Sequence, residues 1–119
     1  MKISEISKLL DAELLCGEEH LDSDVASACC SDMMSDVLAY VKDQGVLITG
    51  LINPQVIRTA NMMDMICIVF VRGKKPTEEM VELAEECGIA VMCTEKRAFE
   101  ASGILYAGGL SRTVGDHHA

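Results

Sequence analysis

Three uninterrupted apolar runs, each followed by a polar turn and then a helical segment, constrain this chain more than any other feature. Val46-Leu47-Ile48-Thr49-Gly50 leads into Asn53-Pro54, Ile66-Cys67-Ile68-Val69-Phe70-Val71 into Arg72-Gly73-Lys74-Lys75-Pro76-Thr77, and Ile89-Ala90-Val91-Met92-Cys93 into Thr94-Glu95. A strand with one wet face alternates apolar and polar residues. These runs do not alternate, as expected of strands buried on both faces of a parallel sheet. Parallel neighbours need a crossover, and each intervening segment is long enough for a helix of about three turns. The expected fold is α/β, a three-layer sandwich with a mainly parallel sheet in which residues 46–49, 66–71 and 90–93 are adjacent strands. In such a sheet the carboxyl ends line one edge, so the three turns gather where open α/β folds bind ligands.

The helical segments carry their own boundary signals. Asn53 suits an N-cap with Pro54 at the first helical position, and Val56, Ile57, Ala60 and Met63 share a face. Thr77 caps a second helix whose first turn holds Glu78 and Glu79, with Met80, Val81, Leu83, Ala84 and Cys87 inward and Gly88 at its end. Thr94 is expected to open a last helix through Ala98, Ala101 and Leu105, stopped by Gly108-Gly109. Before the repeat, Ser4 is expected to cap a short helix with Ile6, Leu9 and Leu10 on one side. A strand over 12–16, a turn at Gly17-Glu18-Glu19-His20 and an extended stretch over 25–30 then read as a separate N-terminal subregion. Ser31 or Asp32 precedes a helix with Val37, Leu38 and Val41 inward, and Gly45 supplies its stop. Residues 1–110 form one domain, and 111–119, without periodicity, read as a disordered tail whose His117-His118 resembles a tag remnant.

A chain of 119 residues buries enough surface to fold without a metal or disulfide. Half the residues are hydrophobic but only two Phe, two Tyr and no Trp are present, so the core is aliphatic. Eight Met either fill that core or line a self-association face. The net charge of −9 opposes nucleic-acid binding, which needs clustered Lys and Arg. No apolar run approaches a membrane span and Met1-Lys2-Ile3-Ser4-Glu5 lacks a signal-peptide core, so a cytoplasmic protein is expected. Without a secretion signal, Cys16, Cys29, Cys30, Cys67, Cys87 and Cys93 are expected to be free thiols. Only the vicinal Cys29-Cys30 is a redox or metal candidate, and neighbours on an extended segment point to opposite faces. No metal and no cofactor are expected.

Gly73-Lys74-Lys75-Pro76 resembles the end of a phosphate loop, but that motif needs Gly at Ile68 and Ser or Thr at Lys75. No Walker-type nucleotide hydrolysis follows. Arg72, Lys74 and Lys75 remain a basic group in an acidic chain, read either as an anion site near helix N-termini or as a solvated turn. No Ser-His-Asp or Cys-His arrangement assembles, and His20 reads as a surface residue. Glu78, Glu79, Glu82, Glu85 and Glu86 follow the wet face of one helix. The chain therefore carries a site geometry without a catalytic group.

Two segments resemble a known family. Glu13-Leu14-Leu15-Cys16-Gly17-Glu18-Glu19-His20-Leu21-Asp22, followed by residues 25–30, is similar to the opening of the N-terminal domain of HPr kinase/phosphorylase, with its strand, G-E-x-x-L turn and second strand. Val69-Phe70-Val71-Arg72-Gly73 and then Val81-Glu82-Leu83-Ala84-Glu85-Glu86-Cys87-Gly88-Ile89-Ala90-Val91 resemble the DRTGG domain. The name-giving motif departs here: its Asp-Arg falls near residues 53–55, where neither occurs, and its Thr-Gly-Gly on Val71-Arg72-Gly73 keeps one glycine. The resemblance implies an α/β regulatory appendage, often dimeric, found beside CBS domains in nucleotide-regulated pyrophosphatases and in some phosphotransacetylases. Stand-alone copies are associated with iron-hydrogenase systems and sometimes carry a serine-kinase label. That label does not transfer, because the kinase activity lies in a C-terminal phosphate-loop domain absent here.

The expected function is a non-catalytic regulatory or ligand-sensing module working as a homodimer. Dimerisation follows from the resemblance and from the flexible apolar Met33-Met34 and Met62-Met63-Met65. The expected ligand site takes Thr49, Gly50, Asn53 and Gln55 from the first turn, Arg72, Lys74 and Lys75 from the second and Thr94 from the third, and suits an adenine nucleotide or other anion. The alternative is an accessory partner of a redox enzyme of the hydrogenase type, with no small-molecule ligand.

Overall fold

The computed structural model describes residues 1–39 and 44–110. Five strands, β1 (Glu13–Cys16), β2 (Ser27–Cys30), β3 (Gly45–Thr49), β4 (Cys67–Phe70) and β5 (Ala90–Cys93), form one sheet in the order β1-β5-β4-β3-β2. Strands β2 to β5 run parallel, with Val46 opposite Cys67 and Cys67 opposite Ala90, whereas β1 is antiparallel to β5. The three apolar runs thus hold the adjacent parallel strands expected, and β3, β4 and β5 are buried at every position, with Ile66 partly buried just before β4.

Helices α1 (Ile3–Leu9), α2 (Met34–Leu38), α3 (Pro54–Met62), α4 (Glu78–Cys87) and α5 (Ala98–Ala107) complete the three layers. Successive strand residues point to opposite faces. Val46, Ile48, Cys67, Val69 and Met92 accordingly meet Ile3 and Ile6 of α1 and Ala101 and Leu105 of α5. Leu47, Ile68, Phe70 and Val91 meet Val37 of α2, Val56, Ile57 and Ala60 of α3, and Met80 and Ala84 of α4. Each crossover helix is anchored by its cap. Asn53 Oδ1 accepts from Gln55 N–H at 2.8 Å, Thr77 Oγ1 accepts from Met80 N–H at 3.2 Å, and Gly88 closes α4.

Several expectations are corrected. The N-terminal segment is not a separate subregion, because β1 and β2 are the two edge strands of the common sheet. Helix α1 starts after Lys2, not Ser4; Glu5 Oε1 accepts from Lys2 N–H at 3.1 Å, and the Ile3 and Ser4 N–H groups donate to Ser23 and Leu21 carbonyls. A tertiary turn thereby satisfies donors that a side-chain cap satisfies elsewhere. Leu9 and Leu38 are exposed rather than inward. Met33, not Ser31 or Asp32, is the N-cap of α2, and Gly45 opens β3 instead of stopping a helix. Arg97, not Thr94, precedes α5. Val41 and the tail 111–119 lie outside the described residues.

Candidate functional site

The carboxyl ends of β2, β3 and β4 meet at one knot. Strand β3 ends on buried Thr49, whose hydroxyl donates to Asp32 Oδ1 at 3.0 Å, and the Gly50 N–H donates to the same oxygen at 2.7 Å. Asp32 arrives there because β2 is parallel to β3, so the residues just past Cys30 lie at the same edge. Arg72, just past β4, has φ of +62°, a left-handed backbone that an L-residue adopts at a cost. Its N–H donates to Lys96 O at 2.8 Å and the next N–H, of Gly73, to Thr94 O at 3.0 Å, which holds the turn. The guanidinium reaches back over Gly50, where any Cβ would collide with it, and Nη2 lies 3.6 Å from Asp32 Oδ2. The half-exposed cation therefore stands at a strand end, over the Gly50 that opens the turn into α3, where Asn53 and Gln55 are exposed.

The other end of the ridge is acidic. A cavity of about 210 Å³ is lined by Asp11, Glu13, Gly73, Lys75, Cys93, Thr94 and Glu95. Lys75 Nζ lies 3.4 Å from Glu13 Oε1 of β1, both side chains being mostly exposed. Buried Thr94 turns its hydroxyl inward to Leu10 O at 2.7 Å, and its oxygen accepts from Lys96 N–H at 3.3 Å. Lys74 is exposed, with no ion pair among the described residues.

Of the eight residues expected at the strand ends, Thr49, Gly50 and Arg72 converge directly, with Asn53 and Gln55 at the neighbouring helix start. Lys75 and Thr94 belong to the acidic side. Sequence reasoning missed Asp32, Asp11, Glu13 and Glu95. Asp32 had a usable signal: recognising residues 25–30 as a parallel strand places the next residues at the binding edge.

The thiols are positioned for packing. Burial, with a small contribution from nearby Cys16, pushes the Cys67 thiol up to about 12. Burial likewise raises Cys16 and Cys93, the latter helped by the Glu13 carboxylate. A thiolate is the nucleophilic and metal-binding form, so these three are poorly suited to either role. Cys29 is half-buried and Cys30 exposed, as opposite faces of β2 require, and the described residues contain no group of three or more side chains able to hold a metal. His20 lies at the surface turn, its Nε2 3.5 Å from Glu19 Oε1.

Comparison with protein families matches the DRTGG domain over residues 5–107. Comparison with curated proteins gives no significant match. Among solved structures, the chain is similar to the CBS and DRTGG domains of the regulatory region of Clostridium perfringens pyrophosphatase, crystallised in complex with its activator diadenosine tetraphosphate. The TM-score is 0.75 at 18% identity, over 98% of this chain and 51% of that one. That likeness establishes the shared fold, and the chain spans about half the length of the pyrophosphatase region. No described helix is long and apolar enough to cross a membrane.

Proposed function

The chain belongs to the DRTGG domain family, and from that premise we propose that it is a non-catalytic, cytoplasmic regulatory module that senses an adenine nucleotide or other anion at the ends of β3 and β4. The observation that carries this reading is Arg72. Its guanidinium follows a positive-φ backbone at the strand-end edge and lies over Gly50, which leads into the turn before α3. A planar cation there, with Gly50 beneath it, Asn53 and Gln55 on the turn that follows and Lys74 and Lys75 on its own turn, matches phosphate oxygens. The nucleotide-bound regulatory region among its structural relatives supports the same ligand class. Asp32 already occupies part of the cradle, so a bound phosphate replaces that carboxylate at Arg72. The acidic end beyond Lys75 and Thr94 borders the ligand rather than holding its phosphates.

Isothermal titration with diadenosine tetraphosphate and with ATP tests the reading. Saturable binding is expected in the parent, and Arg72→Ala should lower affinity about tenfold, the loss of one charge-assisted contact. Lys74→Ala with Lys75→Ala should weaken binding less, with stability changed by under about 0.5 kcal/mol because both side chains are exposed. Equal affinity in all three proteins would place the ligand elsewhere. No heat with any nucleotide would favour the second reading, an accessory partner of a redox enzyme, for which exposed Met33 and Met62 offer adaptable apolar contacts. Homodimerisation belongs to the proposal under either reading.

A further inference from the structure

Helix α5 is apolar nearly all the way round, with Glu100 as its single charge. Such a helix is ordinarily enclosed on every side. Here Ala101 and Leu105 are buried against the sheet, while Phe99 is 92% and Tyr106 65% exposed. Both lie on one face, seven residues or about 10 Å apart along the axis. Gly103 lies between them, and a Cβ on it would meet nothing within 4 Å. Beside Tyr106 is a hollow of about 190 Å³ lined by Ala28, Cys30, Ile48, Ser102, Leu105 and Leu110. Cavities of ~150 Å³ with apolar walls accept a benzene ring.

We propose that α5 is the self-association face of this protein: two copies cross their α5 helices antiparallel about a two-fold axis near Ser102 and Gly103, and Phe99 of each enters the hollow beside the partner's Tyr106. A two-fold contact requires one patch to complement itself. An exposed ring and an open hollow on the same helix, separated by a glycine that permits close approach, meet that requirement. Charge selects the same face. Each copy carries a net charge of −9, and the outer side of α4 presents Glu78, Glu79, Glu82, Glu85 and Glu86, so two copies repel least when they meet through a face with few charges, as α5 offers. The aromatic pair also supplies the anchor residues that interfaces favour. This assignment rests on the self-association proposed above, and it moves the contact away from Met33 and Met62. Those methionines lie with α2 and α3 on the opposite side of the sheet.

Sedimentation equilibrium over a wide concentration range, on the full chain, tests it. The parent should sediment as a dimer, and Phe99→Glu should weaken the dimer about thirtyfold or more, the effect of deleting a hot-spot residue. Its melting transition should stay cooperative, because Phe99 makes almost no contact within its own chain. In a Cys30→Ser background, Gly103→Cys should give a reducible covalent dimer on mild oxidation, since the axis brings the two copies of this position together. A parent that is monomeric throughout overturns the proposal and self-association together. A dimer that survives Phe99→Glu and fails to cross-link at position 103 overturns the face alone, and its loss in Met33→Glu with Met62→Glu would assign the contact to the methionines. Nucleotide titration of Phe99→Glu remains interpretable in every case, because α5 contributes nothing to the Arg72 cradle.

Discussion

The two ends of the strand ridge are built from the same fold edge and differ in what their side chains have already bound. At the β3–β4 end one carboxylate, Asp32, answers a buried hydroxyl, a backbone N–H and a guanidinium. At the β5–β1 end Asp11, Glu13 and Glu95 share the cavity with a single cation, Lys75. Position at the carboxyl end of a strand therefore does not by itself set the local charge. The antiparallel strand β1 decides the matter, because it carries Glu13 up to the end of β5 and leaves that end with excess negative charge. Parallel β2 does the reverse: it stops short and delivers one carboxylate that neutralises Arg72.

The largest expected effect comes from loosening β1 at its far end, where it leaves the sheet beside the start of β5, since this strand carries Glu13 to the acidic end. Gly17 follows β1 with φ of +91°, and a Cβ there would sit 2.5 Å from Ala90 Cα, a backbone atom that cannot step aside. Gly17→Ala combines left-handed strain with overpacking against β5, so a loss of about 3 kcal/mol is expected. Urea unfolding measures it. Nucleotide affinity of the folded fraction should be retained, because the Arg72 cradle borrows nothing from β1. Loss of binding in parallel with β1 would mean the two ends act as one site.

A smaller and opposite pair of effects is expected at the cradle. Asp32→Asn keeps an acceptor for Thr49 and Gly50 but removes the charge, at a cost of about 1 kcal/mol in stability. Without a competing carboxylate, an added phosphate should bind Arg72 about fivefold more tightly, the equivalent of about 1 kcal/mol. Calorimetric titration and urea midpoints on one preparation read both. Unchanged affinity would show that the ligand never meets Asp32.

The legible part of this molecule is the part whose signal is local. Residues 46–49, 66–71 and 90–93 announce parallel strands because both their faces are buried, and Asn53 and Thr77 announce helix starts because a cap is satisfied within three residues. What was hidden depends on distant partners. The four-residue edge strands β1 and β2 take their places only through β5 and β3, and Thr94 gave up the expected helix-opening role for the Leu10 carbonyl 84 positions away. Lys2 precedes α1 because the 21–23 turn receives the first N–H groups. At the candidate site, the gathering of Thr49, Gly50 and Arg72 at one strand-end edge was legible from topology. That Arg72 would be neutralised by Asp32, and Lys75 by Glu13, was not, since neither contact follows from spacing along the chain.

The smallest expected effect tests how loosely the acidic end is held. Lys75 and Glu13 are 3.4 Å apart with side chains 68% and 64% exposed, so water screens the pair and two flexible side chains lose freedom in making it. A double-mutant cycle with Lys75→Ala and Glu13→Ala should give a coupling of under about 0.5 kcal/mol, shrinking further in high salt. The contrast with Asp32 is physical: Thr49 is buried and its hydroxyl keeps a fixed direction, whereas Lys75 can swing into solvent when Glu13 is gone. For the same reason Glu13→Ala should leave nucleotide affinity nearly unchanged, with at most a slight gain as one negative charge leaves the ridge. A coupling above about 1 kcal/mol would show a pre-organised pair at the β1 edge. In that event the acidic cavity, not the Arg72 knot, would be the more rigid of the two ends, and it would be the place to look for a cationic ligand.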